Sequence, residues 1–142
     1  MPFEPFTAEW AQVYKEKLNQ NPQYRQAAKT WEGPVVFQVE KDPAIGLEED
    51  RAVFLDLSQG ECRDARVATE EDLQAAEVII SGDTQTWKQV FDRKLEPIST
   101  LMRGRLKLVK GNMSVLSAYV MASKQLLASA LEVDTEIPEG LD

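Results

Sequence analysis

From Val78 to Met121 the chain changes its apolar period again and again, and it leaves almost no core-facing position polar. Glu77–Ser81 carries the continuous apolar run Val78-Ile79-Ile80, which predicts a strand inside a sheet and covered on both faces. Gly82-Asp83 leads into a helix whose stripe is Trp87, Val90, Phe91 and Leu95. Pro97 opens a short helix with Ile98, Leu101 and Met102 inward, and Gly104 supplies its stop. Leu106 and Leu108 alternate with Lys107 on a further strand. Gly111-Asn112 then opens a last helix, Met113 to Glu132, carrying Val115, Leu116, Tyr119, Val120, Leu127 and Leu131. Met113, Ala118, Met121 and Ala122 widen its stripe beyond what one sheet contact needs. This segment offers much to pack and little to react.

The first half supplies the rest of the sheet. Thr7 caps a helix from about Ala8 to Gln20 with a Trp10, Val13, Tyr14, Leu18 stripe, and Pro22 can open a short second helix through Lys29. After Gly33-Pro34 the period becomes two. Val35, Phe37 and Val39 mark one strand, and Val53, Leu55 and Leu57 a second. The Ser58-Gln59-Gly60 turn leads to a weaker third over Cys62–Val67. Lys41–Asp50 reads as a loop. Strands joined by turns imply an antiparallel meander. Thr69-Glu70-Glu71-Asp72 caps a single helical turn, its acids placed where the helix dipole favours them. The expectation is one α+β domain with a five-stranded, mainly antiparallel sheet covered by helices. Residues 1–32 form N-terminal helices, 33–132 the sheet and its cover, and 133–142 an acidic tail.

Charge narrows the function classes. The net charge of −8 argues against a nucleic-acid binder, which needs a positive footprint for phosphates. Between Arg93 and Lys110, however, six bases (Arg93, Lys94, Arg103, Arg105, Lys107, Lys110) face one acid, Glu96, a local balance of +5 that leaves −13 elsewhere. The stretch reads either as a solvated face or as a docking patch for an anionic headgroup, a coenzyme phosphate or a membrane surface. No apolar run reaches the roughly 20 residues of a membrane span, and the expectation is a chain with no secretory, peroxisomal or reticular signal. A lone Cys62 fits a reducing compartment, so a cytoplasmic location is expected.

Reactive chemistry is sparse. With no histidine, the commonest general base, the triads built on it and most zinc sites drop out. Glu48-Glu49-Asp50 reads as a solvated loop rather than a cation site. Cys62 sits mid-strand as a small packed residue, and Lys124 lies between Ser123 and Gln125 on a solvent-facing position. The reading is a non-enzyme with no cofactor and no metal.

The runs Val78-Ile79-Ile80-Ser81-Gly82-Asp83, Lys94-Leu95-Glu96-Pro97 and Leu101-Met102-Arg103-Gly104-Arg105-Leu106-Lys107-Leu108-Val109-Lys110-Gly111-Asn112-Met113 resemble the sterol carrier protein type 2 family. Phe54-Leu55-Asp56-Leu57-Ser58-Gln59-Gly60 is similar to its earlier strand and turn. The resemblance covers roughly Val35 to Leu131. It departs at Arg93, where the family often has glycine in a G-K-L-x-P turn. It implies an apolar tunnel between sheet and helices Thr84–Asp92 and Met113–Glu132, holding a fatty acid, a fatty acyl coenzyme A or a sterol-like lipid. Trp87, Phe91, Leu101, Met102, Leu106, Leu108, Met113, Leu116, Val120 and Met121 are the lining candidates, and Arg103 is the headgroup candidate. Transient contact with a membrane or partner enzyme is a further implication. The other reading is an accessory interaction domain of a lipid-metabolising enzyme with no ligand of its own. A void of about 400 Å³ would cost roughly 10 kcal/mol at about 24 cal/mol per Å³, so an unliganded tunnel is expected to be collapsed, wet or filled.

Overall fold

A computed structural model describes residues 6–45, 47–133 and 135. Of the acidic tail expected over 133–142, only Val133 and Thr135 thus fall among the described residues. Five strands, β1 (Val35–Val39), β2 (Arg51–Ser58), β3 (Glu61–Val67), β4 (Val78–Gly82) and β5 (Lys107–Lys110), form one sheet in the order β3-β2-β1-β4-β5. The helices are α1 (Ala8–Asn19), α2 (Pro22–Ala27), α3 (Glu70–Ala75), α4 (Thr84–Phe91), α5 (Pro97–Met102), α6 (Met113–Ala118) and α7 (Val120–Leu131).

Alternation decides which helices lie where. Val35, Phe37, Val53, Leu55, Leu57, Val78 and Ile80 point to one face and form the main core with α1, α2, α4 and α7. Val36, Ala52, Phe54 and Ile79 point the other way, where Ala76, Leu73 and Ala68 cover them. β4 is buried at all five positions, as its unbroken apolar run predicts, and it lies inside the sheet. The meander holds for β1-β2-β3. It does not extend to β4, which pairs parallel with β1. The chain leaves β3 through α3, on the sheet's outer face, and so re-enters beside β1 running in the same direction. β5 closes the other edge, antiparallel to β4.

The edge strand β3 matches its expected span but for one added residue, Glu61, and α1 packs on it and supplies hydrogen bonds to its backbone. The Asn19 amide both donates to the Cys62 carbonyl (3.0 Å) and accepts from the Cys62 N–H (2.9 Å), and Gln12 donates to the Ala65 carbonyl (2.9 Å). These side chains occupy groups that an exposed edge would offer to another chain.

The last helix is not continuous. Tyr119, at φ −114° and ψ 35°, separates α6 from α7. α6 buries none of its residues, so nothing in the core holds the two segments collinear. Arg93, where the resemblance expects glycine, takes φ +62°. The backbone keeps the left-handed turn, and a bulky residue adopts it. Because this region costs a residue with a Cβ about 1–2 kcal/mol, Arg93→Gly should be more stable than Arg93→Ala by about 1 kcal/mol in urea unfolding. Equal stabilities would show that the turn carries no such strain.

Candidate functional site

The helices do not close fully onto the sheet. Between them lies an apolar cavity of about 510 Å³, part of it open to solvent. Val35, Phe37, Leu57, Val78 and Ile80 form its floor. Tyr24, Ala28 and Trp31, from α2 and the turn after it, make one wall, and Ala122, Ser123, Leu126 and Leu127 of α7 make the roof. Leu101, Leu116 and Tyr119 complete the lining. Only about 40 Å³ of it can take the centres of water molecules, room for about three waters. A long acyl chain enters only if side chains or a helix give way. This is a nearly collapsed apolar site.

Polar bonds set the height of the roof. Tyr14 Oη donates to the Leu126 carbonyl at 2.6 Å inside the core, and the Asn21 amide donates to Ser129 Oγ (2.9 Å) and Gln125 Oε1 (3.2 Å). At the α6–α7 junction the Tyr119 ring stands edge-on to Trp31, with centroids 5.0 Å apart. Its hydroxyl accepts from Thr30 Oγ1 (3.2 Å) or donates to the Thr30 carbonyl (3.3 Å). Tyr119 therefore latches the junction to the end of α2.

Of the residues singled out in the sequence, Leu101 and Leu116 line this cavity. Met102, Met113, Leu116 and Val120 line an adjoining recess with Ile98, Leu101, Ser117 and Ser123. Met102 is 66% exposed rather than inward. Trp87 and Phe91 belong to an aromatic cluster with Phe6 and Trp10, behind Phe37, where Trp87 Nε1 donates to the Gln38 carbonyl (2.8 Å). Leu106 is fully buried in the main core, Leu108 is partly buried against it, and Met121 is 58% exposed outside both hollows. No residue of α4 lines the cavity; its second helical wall is α2. Tyr24, Ala28 and Trp31 were missed, although their spacing is a helical stripe.

Arg103 caps the end of α5 and is exposed, next to Met102. The other bases of the stretch are spread out. Lys107 pairs with Glu40 (3.7 Å), Arg105 donates to Gln89 (3.1 Å), and Arg93 lies 3.9 Å from Glu132. Lys124 is exposed. Partial burial pushes the Glu96 carboxyl up, but hydrogen bonds from Ser99 and Ile98, with the nearby Lys124 charge, hold it below its ordinary value. The Cys62 thiol is fully buried, and burial pushes its pKa up to about 12, the nearby Lys15 charge offsetting only part of this. A thiol so rarely ionised is a poor nucleophile. Among the described residues no group of His, Cys, Asp or Glu could hold a metal ion.

Residues 13–124 match the model of the SCP-2 sterol transfer family. The chain is similar to a crystal structure of sterol carrier protein 2, at 43% identity, covering 92% of this chain and 99% of that one, with a TM-score of 0.84. It is similar to a solution structure of a conserved hypothetical protein, possibly sterol carrier protein, from Thermus thermophilus, at 42% identity, 94% and 92% coverage, and a TM-score of 0.81. The fold alone is shared with the Aedes aegypti sterol carrier protein 2 solved with palmitate, at 13% identity, 85% and 93% coverage, and a TM-score of 0.50. No curated protein sequence matches the chain.

Two outcomes follow from the site. Tyr119→Ala removes the latch, so amide exchange across Met113–Ala118 should quicken about tenfold while β1 and β4 stay protected; unchanged exchange would show that Tyr119 holds nothing. Cys62 should react with a thiol reagent only at the rate of global unfolding, and fast labelling of the folded protein would contradict its burial.

Proposed function

Because the chain belongs to the SCP-2 sterol transfer family, we propose that it binds one single-chain or sterol-like lipid beneath α7 and carries it unchanged. The family is one of lipid binding and transfer. The observation that carries the finer reading is the cavity itself, whose floor, wall and roof are almost wholly apolar side chains. Such a surface gains from a hydrocarbon and offers little to a polar substrate.

A fatty acid, a fatty acyl coenzyme A or a sterol-like molecule fits this chemistry, and palmitate sits in the Aedes aegypti relative. Burying 16 carbons at about 0.8 kcal/mol each gives roughly 12 kcal/mol gross. Association and ordering take back about 4–15 kcal/mol, so micromolar affinity is expected. In the loaded state the cavity opens into a tunnel as α6 moves away from Trp31. Leu101 and Leu116 touch the ligand directly, and Met102, Met113 and Val120 take its outer part. Trp87, Phe91, Leu106 and Leu108 pack beside the cavity in the same core and brace the floor from its flank. Arg103, exposed beyond Leu101 and Met102, meets the carboxylate or phosphate of the headgroup. The single free thiol suits a reducing compartment such as the cytoplasm.

Displacement of a fluorescent fatty acid tests this reading. Ala122→Phe places a ring in the roof and should abolish binding while the folded circular-dichroism spectrum is kept. Arg103→Glu should weaken an acyl anion about fivefold, an exposed-charge effect that fades with salt, and spare a neutral sterol. Absence of binding up to about 100 μM, a limit near −5.5 kcal/mol, would refute the proposal. Equal losses for both ligands with Arg103→Glu would remove Arg103 from the headgroup role.

A further inference from the structure

Tyr24, Trp31, Tyr119 and Ser123 are the side chains of the cavity lining that carry a hydrogen-bonding group, and they are not equally placed. Trp31 Nε1 donates to the Gly33 carbonyl (2.9 Å), and the Tyr119 hydroxyl is bonded to Thr30. Ser123 is half-buried where the cavity meets the recess of Met102, Met113 and Val120, so solvent is within its reach. Tyr24 is different. It is only 2% exposed, yet among the described residues none bonds to its hydroxyl.

The position of that hydroxyl matters. Tyr24 lies near Cys62 and Tyr14, close enough for their charges to interact. Cys62 is the strand partner of Leu57, on the β3 side of the cavity floor, whereas Leu101 and Leu116 mark the α5–α6 side. Tyr24 thus stands at the inner end, away from the recess. A buried tyrosine hydroxyl ordinarily finds a partner. The hydrogens of its neighbours are committed elsewhere, for Tyr14 Oη donates to the Leu126 carbonyl and Cys62 Sγ to the Asp64 carbonyl (3.4 Å). The Tyr24 oxygen is nevertheless not sealed in, because every fully enclosed side-chain oxygen or nitrogen among the described residues has a partner. It keeps contact with open space, and the open space that Tyr24 borders is the cavity.

We propose that Tyr24 Oη is a polar anchor at the inner end of the cavity, and that the lipid carried here bears a neutral hydroxyl or oxo group on the end that enters first. This inference rests on the lipid-carrying role proposed above and adds the chemical class of the cargo, an oxygenated lipid rather than a plain hydrocarbon chain. A methyl end pushed against Tyr24 would displace its water and strand the hydroxyl without a partner, which is unfavourable. An alcohol or a ketone oxygen restores the bond, since a tyrosine hydroxyl both donates and accepts. The water it replaces is held loosely, because the lining beyond Tyr24 is apolar and gives it few other partners. A carboxylate cannot take this place. No cationic side chain lines the cavity, and an ion in apolar surroundings is far too costly. The ionised end therefore stays at the mouth, toward Arg103, and the two ends together fix the direction in which the lipid lies.

Competition against a fluorescent fatty acid tests this assignment. ω-Hydroxy fatty acids from laurate to stearate are each compared with the plain acid of the same length. At the length that brings the hydroxyl to Tyr24, the ω-hydroxy acid should bind about fivefold tighter than its plain counterpart. Tyr24→Phe keeps the ring and should reverse that order, with the plain acid favoured about fivefold. α-Hydroxypalmitate, whose extra oxygen stays beside the carboxylate, should follow palmitate in both proteins. Thermal unfolding checks that Tyr24→Phe is folded, and the preference of the parent is a test that needs no variant. The inference is overturned if the parent favours the ω-hydroxyl at no length, if the order survives Tyr24→Phe, or if the α-hydroxyl gains as much. Those results leave the lipid-carrying role standing, because fatty acid has bound. Binding of none of these lipids overturns both.

Discussion

Everything in this molecule depends on how α7 is held above the inner face of the sheet. The face is apolar from β2 to β4 and cannot be left wet, yet the helix that roofs it is not packed flush. The short Tyr14–Leu126 bond and the bonds of Asn21 to Ser129 and Gln125 tie α7 to α1 and α2. Breaking the first would leave a buried hydroxyl unpaired, at a cost of about 1–3 kcal/mol. The roof therefore stays at a height set by its neighbours rather than by the floor, and a hollow remains. A fully open hollow in apolar surroundings would be expensive, and the nearly collapsed cavity is the compromise.

The two ends of the inner layer solve the packing problem differently. Toward α4, Phe6 stands edge-on to Trp10, Trp87 and Phe91, and Tyr14 and Phe37 join the cluster through tilted and stacked contacts, a rigid arrangement of large rings. Toward α6, the lining is Leu101, Leu116, Ala122 and Ser123 with the single Trp31–Tyr119 ring pair, and the helix beyond it buries nothing. Stiffness at one end and looseness at the other let a ligand enter without dismantling the core. Tyr119 stands at the boundary, where it breaks the helix and ties the break to Thr30.

Buried ionisable groups of the inner layer stay neutral at both ends. Desolvation drives the Tyr14, Tyr24 and Cys62 pKa values upward, so these groups serve packing. On the outer face of the sheet, Arg66 lies over the Phe54 ring at 4.4 Å and pairs with Asp72, covering the smaller apolar cluster with its own side chain. That salt link holds the Asp72 carboxyl low, mainly through the Arg66 hydrogen bond, so its contribution is present at neutral pH and is lost in acid.

What the sequence determined by itself was local and periodic. Strand or helix, the inward phase of Val35 and Phe37, the stop at Gly104 and the two-sided burial of β4 all follow from spacing and turn chemistry. So does the family, through the run from Leu101 to Met113. Only the tertiary structure decided that β4 runs parallel to β1, because that depends on the chain crossing the sheet through α3 to pair with β1 rather than turning back along β3. It decided too that Trp87 and Phe91 stand behind Phe37, while Tyr24, Ala28 and Trp31 wall the cavity. Core and pocket residues share one periodicity, and the distinction arises only where two elements fail to meet. The break at Tyr119 was illegible for a related reason. Nothing in Met113–Leu131 disfavours a single helix locally, and the bend follows from Trp31 and Thr30, nearly 90 residues earlier in the chain, being within reach of that one side chain.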